Sequence, residues 1–171
     1  MMLKHWKECS QDIIPMDLQY GGVYIINAQA WHLKGYLGGK HTWFAFKDKE
    51  WMVAELTTRE TLNEQNATIL YDGAFANDDH GPFISTREPN RQWFGHDPHV
   101  VWIHPYTIDR RQVFDACKQY PIKEFKLLSQ NCNTFISYLV WRLNIDMRGR
   151  KNYGYKSIGW WNDRYPDLGV L

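Results

Sequence analysis

The sequence predicts a single α+β domain built on an antiparallel sheet. Three observations carry this. Runs of β-prone residues crowd the first part of the chain, at 23–28, 41–46 and 51–57. Asp48-Lys49-Glu50 separates two of these runs at the length of a tight antiparallel hairpin. Two segments of helical period come late, near 107–120 and from 132 onward. Strands first and helices last is the order of an α+β fold rather than of alternating βα units.

Residues 1–20 read as a mixed arm with Pro15 as a break. Gly21-Gly22 is a turn ahead of the apolar run 23–28. Gly35, Gly38 and Gly39 make 31–40 a flexible connection. His41 then opens the next strand. If the hairpin loop is 48–50, Lys47 pairs with Trp51, and His41, Trp43, Val53 and Glu55 fall on one face. Glu55 is then diagonal to His41 across the neighbouring strand. A slip of one residue would send Glu55 to the other face, as a surface carboxylate.

Residues 58–98 differ in kind. Asn, Asp, Gly, Pro and Arg dominate, and only 67–71 reads as a strand. The stretch is predicted to be a loop-rich insertion that walls a site, with Trp93 and Phe94 lining the groove. A strand follows at 100–103. Thr107 is placed to cap a helix running to Tyr120, with Val113, Ala116, Cys117 and Tyr120 on one face. Pro121 stops it. Residues 122–131 approach the last helix as a short strand. After Leu143, Gly149 and Gly154 break the chain into a loop-rich tail holding Trp160 and Trp161.

With 171 residues the chain suits one domain with a real core. Lys+Arg number 20 against 19 Asp+Glu, so no basic balance points to nucleic acid or to a charged membrane surface. Three cysteines, at 9, 117 and 132, include no CxxC pair. That count argues against a disulfide framework and against a Cys-rich zinc site. The first ten residues carry Lys4, Lys7 and Glu8 and lack the apolar run of a signal peptide. No stretch of about 18 apolar residues exists. The expectation is a cytoplasmic protein without a membrane span.

The chemistry centres on Ser129-Gln130-Asn131-Cys132-Asn133-Thr134-Phe135. Phe135, Ile136, Leu139, Val140 and Leu143 fall on one helix face. A helix therefore starts near Cys132, with Asn131 or Asn133 as N-cap. A thiol at a helix start meets unpaired backbone N–H groups, which favour its thiolate and can hold an oxyanion. Cys117, on an apolar helix face, reads as buried filler. A nucleophilic thiol needs a base. His41 is the best placed of seven histidines, because a strand end is both held and reachable. Glu55 is the candidate for the third member that orients the base. Gln130 and Asn131 are candidates to bind the oxyanion by side chain.

Metal chemistry is the main rival. Asp78-Asp79-His80 and His96-Asp97-Pro98-His99 hold ligand types, but neither has the spacing of a helical or hairpin site. Gly-rich phosphate loops and the G-x-S-x-G elbow are absent. No metal and no cofactor are expected.

The residues also carry a resemblance. A His at a strand start followed by a Cys at a helix start resembles the circularly permuted branch of the papain-like, NlpC-type cysteine hydrolases. Asn131-Cys132-Asn133-Thr134-Phe135 is similar to the N-C-N-x-F segment of PPPDE-type peptidases and to the N-C-E-H-F segment of the lecithin:retinol acyltransferase-like group. His41-Thr42-Trp43-Phe44 looks like their His-bearing strand. The pattern is also similar to that of an uncharacterised bacterial family, through His41-Thr42-Trp43-Phe44, Trp93-Phe94-Gly95 with Pro98, Tyr120-Pro121, and Asn131 to Phe135. The resemblance covers about residues 23–160. It implies a papain-like fold, Cys132 as nucleophile, His41 as base, and hydrolysis of an amide in a peptide or isopeptide. Two alternatives stand beside it: a non-catalytic binding module on the same scaffold, and a lipid acyltransferase.

Overall fold

The computed structural model describes residues 22–29, 40–86, 96–104, 106–126 and 130–145; for 27–29, 40 and 96–104 it describes the backbone alone. Within these residues the chain forms β1 (Val23–Gln29), β2 (Lys40–Lys47), β3 (Trp51–Thr58), α1 (Arg59–Glu64), β4 (Thr68–Asp72), β5 (His80–Thr86), β6 (His96–His104), α2 (Arg110–Lys118) and α3 (Cys132–Arg142). The six strands make one sheet in the order β4-β5-β3-β2-β1-β6, and every neighbouring pair is antiparallel. The architecture is α+β.

The hairpin between β2 and β3 has the register the loop length predicts, with Lys47 opposite Trp51. Asp48 N–H donates to the carbonyl of Glu50 within the turn. This register sorts the side chains. Phe44, Phe46, Met52, Ala54 and Leu56 join Val23, Ile25 and Ile84 on the face that carries the main core. Tyr24, Ile26, Trp43, Ala45, Val53, Glu55, Phe83 and Ser85 alternate with them and are buried as well. Burial of both faces explains why these strands read as nearly continuous apolar runs.

Helix α3 lies against β2 and β3. It is buried almost all round, with Phe135, Ile136, Tyr138 and Leu139 fully covered. Helix α2 packs on α3 through Val113, Ala116 and Cys117. Tyr138 Oη donates to the Ala116 carbonyl at 2.8 Å, and Tyr120 meets the rings of Phe135 and Tyr138 at 5.0 Å each. The N-cap of α2 is Asp109, whose carboxylate accepts from the Arg111 N–H, and not Thr107. The helix ends at Lys118, so Tyr120 fills the core from just beyond it.

The loop-rich reading of 58–98 is corrected. Helix α1 opens directly after β3 on a Thr58 cap and buries Leu62. Strand β5 is internal to the sheet, between β3 and β4. Its sequence, His-Gly-Pro-Phe-Ile-Ser-Thr, holds β-prone Phe83, Ile84 and Thr86, but Gly81 and Pro82 interrupt the strand signal. Pairing to β3 over seven residues makes it a strand. Pro82 is tolerated because β4 pairs with β5 only from Phe83 onward, so no ladder partner on that side needs a Pro82 N–H. Among the described residues of 122–131 no strand appears, only an isolated bridge in which Lys126 and Gln130 exchange backbone hydrogen bonds. The tail after 145 lies outside the described residues.

Two glycines let the β4–β5 connection close. A Cβ on Gly81 would sit 2.3 Å from the Gly73 carbonyl oxygen and 2.6 Å from the Ala74 Cα. Both obstacles are backbone, which cannot swing aside. We predict that Gly81→Ala destabilises the fold by about 1–3 kcal/mol, the range of overpacking in a tight interior. A urea midpoint equal to that of the wild type would show that the connection is looser than these distances imply.

Candidate active site

The site forms where two strands part. β2 stays paired to β1 as far as Lys40, and β3 stays paired to β5 as far as Thr58. The β2–β3 ladder between them stops at Phe44–Ala54. Beyond that point the two strands are bridged by side chains. His41 Nε2 lies 2.7 Å from Glu55 Oε2. The imidazole is 21% exposed and the carboxylate 2%. The edge of the pair is closed by Trp43, whose ring meets the imidazole edge-on with centroids 4.5 Å apart and planes at 84°. Trp43 is two residues from His41 and therefore on the same face.

Glu55 is thus a buried partner of His41, and not the surface carboxylate that a slipped register would give. Burying a carboxylate is costly unless a donor or cation meets it, and His41 supplies one.

Cys132 comes from the other side, as the first residue of α3. Asn131 is the N-cap. Its side-chain oxygen accepts from the N–H groups of Asn133 and Thr134, while Thr134 Oγ1 accepts from the Asn131 N–H. This reciprocal box fixes the first turn and places the Cys132 amide at the positive end of the helix dipole. The thiol is half-buried and is hydrogen-bonded to the His41 ring. Burial by itself works against a charged imidazole. The charge and hydrogen bond of Cys132, then those of Glu55, outweigh it, and His41 is raised from 6.5 to about 10.

The remaining predicted residues separate. The Asn131 side-chain oxygen is committed to the cap, and the amide nitrogen is the end that could donate to an oxyanion. Gln130 sits two residues before Cys132 with its Oε1 buried and unpartnered among the described residues. Trp93 and Phe94 lie outside the described residues. Cys117 is fully buried, which pushes its thiol well above the ordinary cysteine range. It cannot serve as a nucleophile at neutral pH. Among the described residues no group of three or more His, Cys, Asp or Glu side chains is placed to hold a metal. His80 bonds Asp78 at 2.7 Å and stacks on Phe125 with centroids 3.9 Å apart. The side chains of 96–99 lie outside the description.

Sequence reasoning missed three residues at this site. Trp43 was legible as a same-face neighbour of His41, but not as its wall. Thr42 and Asn133, flanking His41 and Cys132, are bonded to each other across the strand–helix interface. Nothing in either local pattern pairs them. Set against known protein families, curated proteins and solved structures, the chain matches none.

The raised His41 value gives a signed pH dependence. A group whose pKa is higher folded than unfolded contributes stability fully below its unfolded pKa and loses it as pH rises through the folded one. The stabilising contribution of His41 is therefore complete below pH 6.5 and fades between 6.5 and about 10. We predict that Glu55→Gln costs most stability near pH 6 and less as pH approaches 10. In NMR titration Cys132→Ser and Glu55→Gln should each lower the His41 midpoint, because both partners raise it. A wild-type midpoint near 6.5 would mean that the imidazole is not held between them.

Proposed function

We propose that this chain is a thiol-dependent amide hydrolase of the circularly permuted papain-like type, acting on a peptide or isopeptide bond. The observation that carries the proposal is the position of the His41 ring, in contact with buried Glu55 and with the thiol at the start of α3. A nucleophile, a base and an orienting carboxylate in contact are the parts that acyl transfer needs.

In this mechanism Cys132 gives its proton to His41, and the sulfur attacks the amide carbon. The tetrahedral oxyanion forms beside the first turn of α3. The Cys132 N–H, at the first position of α3, is the donor assigned to that charge in this mechanism. The Gln130 amide, two residues upstream, offers a second donor. As the C–N bond breaks, His41 passes its proton to the leaving amine. Water, deprotonated by His41, then cleaves the thioester, releases the acid and restores the thiol. Glu55 does not exchange a proton. It stabilises the imidazolium and holds its orientation through the 2.7 Å contact. Among the described residues no helix is long and apolar enough to cross a membrane.

The test uses peptide electrophiles and peptide amides. Iodoacetamide and a peptide vinyl sulfone should modify Cys132 rapidly at neutral pH and leave Cys117 untouched, read by mass spectrometry. His41→Ala should slow the vinyl sulfone reaction by about 10²–10⁴-fold, the usual worth of a positioned acid–base group. Hydrolysis of a fluorogenic peptide amide should disappear in Cys132→Ser and persist in Cys117→Ser. A wild-type Cys132 no more reactive than glutathione, or hydrolysis retained in Cys132→Ser, would refute the hydrolase.

A further inference from the structure

The two segments that supply Cys132 and His41 also supply, at the adjoining positions, a second pair. Thr42 Oγ1 donates to Asn133 Oδ1, and the two residues are 91 positions apart. Both are buried, Thr42 at 0% and Asn133 at 3%. Thr42 occupies a position on the core face of β2, in the row of Phe44 and Phe46. A hydroxyl among aromatic neighbours is costly there unless its hydrogen bond is made.

We infer that the Thr42–Asn133 bond is the clamp that sets the distance between the His41 ring and the Cys132 thiol. The inference rests on the reading of Cys132 and His41 as a reacting pair, and makes Thr42 and Asn133 its positioning residues. Three features support it. The β2–β3 ladder has already parted at Phe44–Ala54, so backbone pairing to β3 no longer fixes the start of β2. The clamp bears on the residue next to His41, in a stretch laddered to β1 on one side and without backbone pairing to β3 on the other. On the helix side, the Asn133 N–H is held by the Asn131 oxygen at 3.0 Å, so the acceptor is mounted on the capped first turn and not on a mobile loop. At the strand side, a β-branched threonine has few χ1 choices, and its hydroxyl is held in direction by its own backbone.

The alternation of β2 gives the clamp its leverage. Thr42 points to α3 and His41 to the opposite face, toward Glu55. The strand end is thereby tied in two directions by two consecutive residues. Release of the Thr42 tie leaves His41 bound to Glu55 and laddered to β1, with only non-directional packing to set the start of β2 against α3. A misplacement of about 1 Å at such a pair can cost about 10²-fold in rate.

The test compares Thr42→Val with Thr42→Ser in the full chain. Two quantities are read below each variant's melting midpoint: the iodoacetamide rate at Cys132 and the NMR titration midpoint of His41. Thr42→Val is expected to slow alkylation at least about tenfold and to move the His41 midpoint down toward 6.5. Thr42→Ser, which keeps the donor, should stay within about twofold of wild type in rate. Asn133→Ala repeats the test from the helix side, should Thr42→Val fail to fold. The double variant should react no more slowly than the slower single, since both remove one interaction. A Thr42→Val protein that melts lower but keeps the wild-type rate and His41 midpoint overturns the clamp and leaves the hydrolase reading standing. A wild-type Cys132 no faster than glutathione overturns the hydrolase reading itself, and the clamp with it.

Discussion

The contact between His41 and Glu55 is the constraint on which the site depends. A carboxylate 2% exposed, on a sheet face otherwise lined by Tyr24, Trp43, Val53 and Phe83, is unfavourable by several kcal/mol unless it is paired. The pairing is possible only in one register of the β2–β3 hairpin. The same contact bridges the two strands where their ladder has stopped. One interaction therefore satisfies the buried charge, spans the parting of the sheet and holds the imidazole that meets Cys132. Removal of either partner would leave the other buried, which is why the pair is a structural commitment as well as a chemical one.

Around that contact the protein concentrates its buried polarity. Thr42, Glu55, Asn131, Asn133 and Thr134 are all nearly inaccessible, and most lie at the joint between β2 and the start of α3. The rest of α3 packs through Phe135, Ile136, Tyr138 and Leu139 into an apolar core with Phe44, Phe46 and Met52. The helix is thus apolar along its length and polar at its first turn. Hydrophobic burial supplies affinity between helix and sheet without fixing its position to within an ångström, because dispersion contacts are many and individually weak. Directional hydrogen bonds at the first turn supply that precision. A capping box, a cross-element hydroxyl–amide bond and a His–carboxylate bond together locate a thiol and an imidazole.

Much of this was legible before any coordinates. The three-residue hairpin loop set Lys47 against Trp51, and the two-residue period of the strands then put His41, Trp43, Val53 and Glu55 on one face. The run Phe135, Ile136, Leu139, Val140 gave the last helix and narrowed its cap to Asn131 or Asn133, of which the structure uses Asn131. These are local matters, governed by turn length, side-chain period and the unsatisfied N–H groups of a first turn, and the sequence states them directly.

Other features were decided by tertiary structure alone. Strand β5 carries Gly81 and Pro82 and has no convincing local preference, so pairing along β3 determines it. The cap of α2 is not of this kind: Asp109 in place of Thr107 is a local matter, its carboxylate accepting from the Arg111 N–H. The halt of the β2–β3 ladder leaves no mark in either strand. The meeting of Thr42 with Asn133 spans 91 residues, as does that of His41 with Cys132. The sequence by itself determined which side chains each element offers and to which face. Only the tertiary structure decided which of them meet, because contacts between distant segments follow from how a helix seats on a sheet, and no periodicity within either segment records that seating.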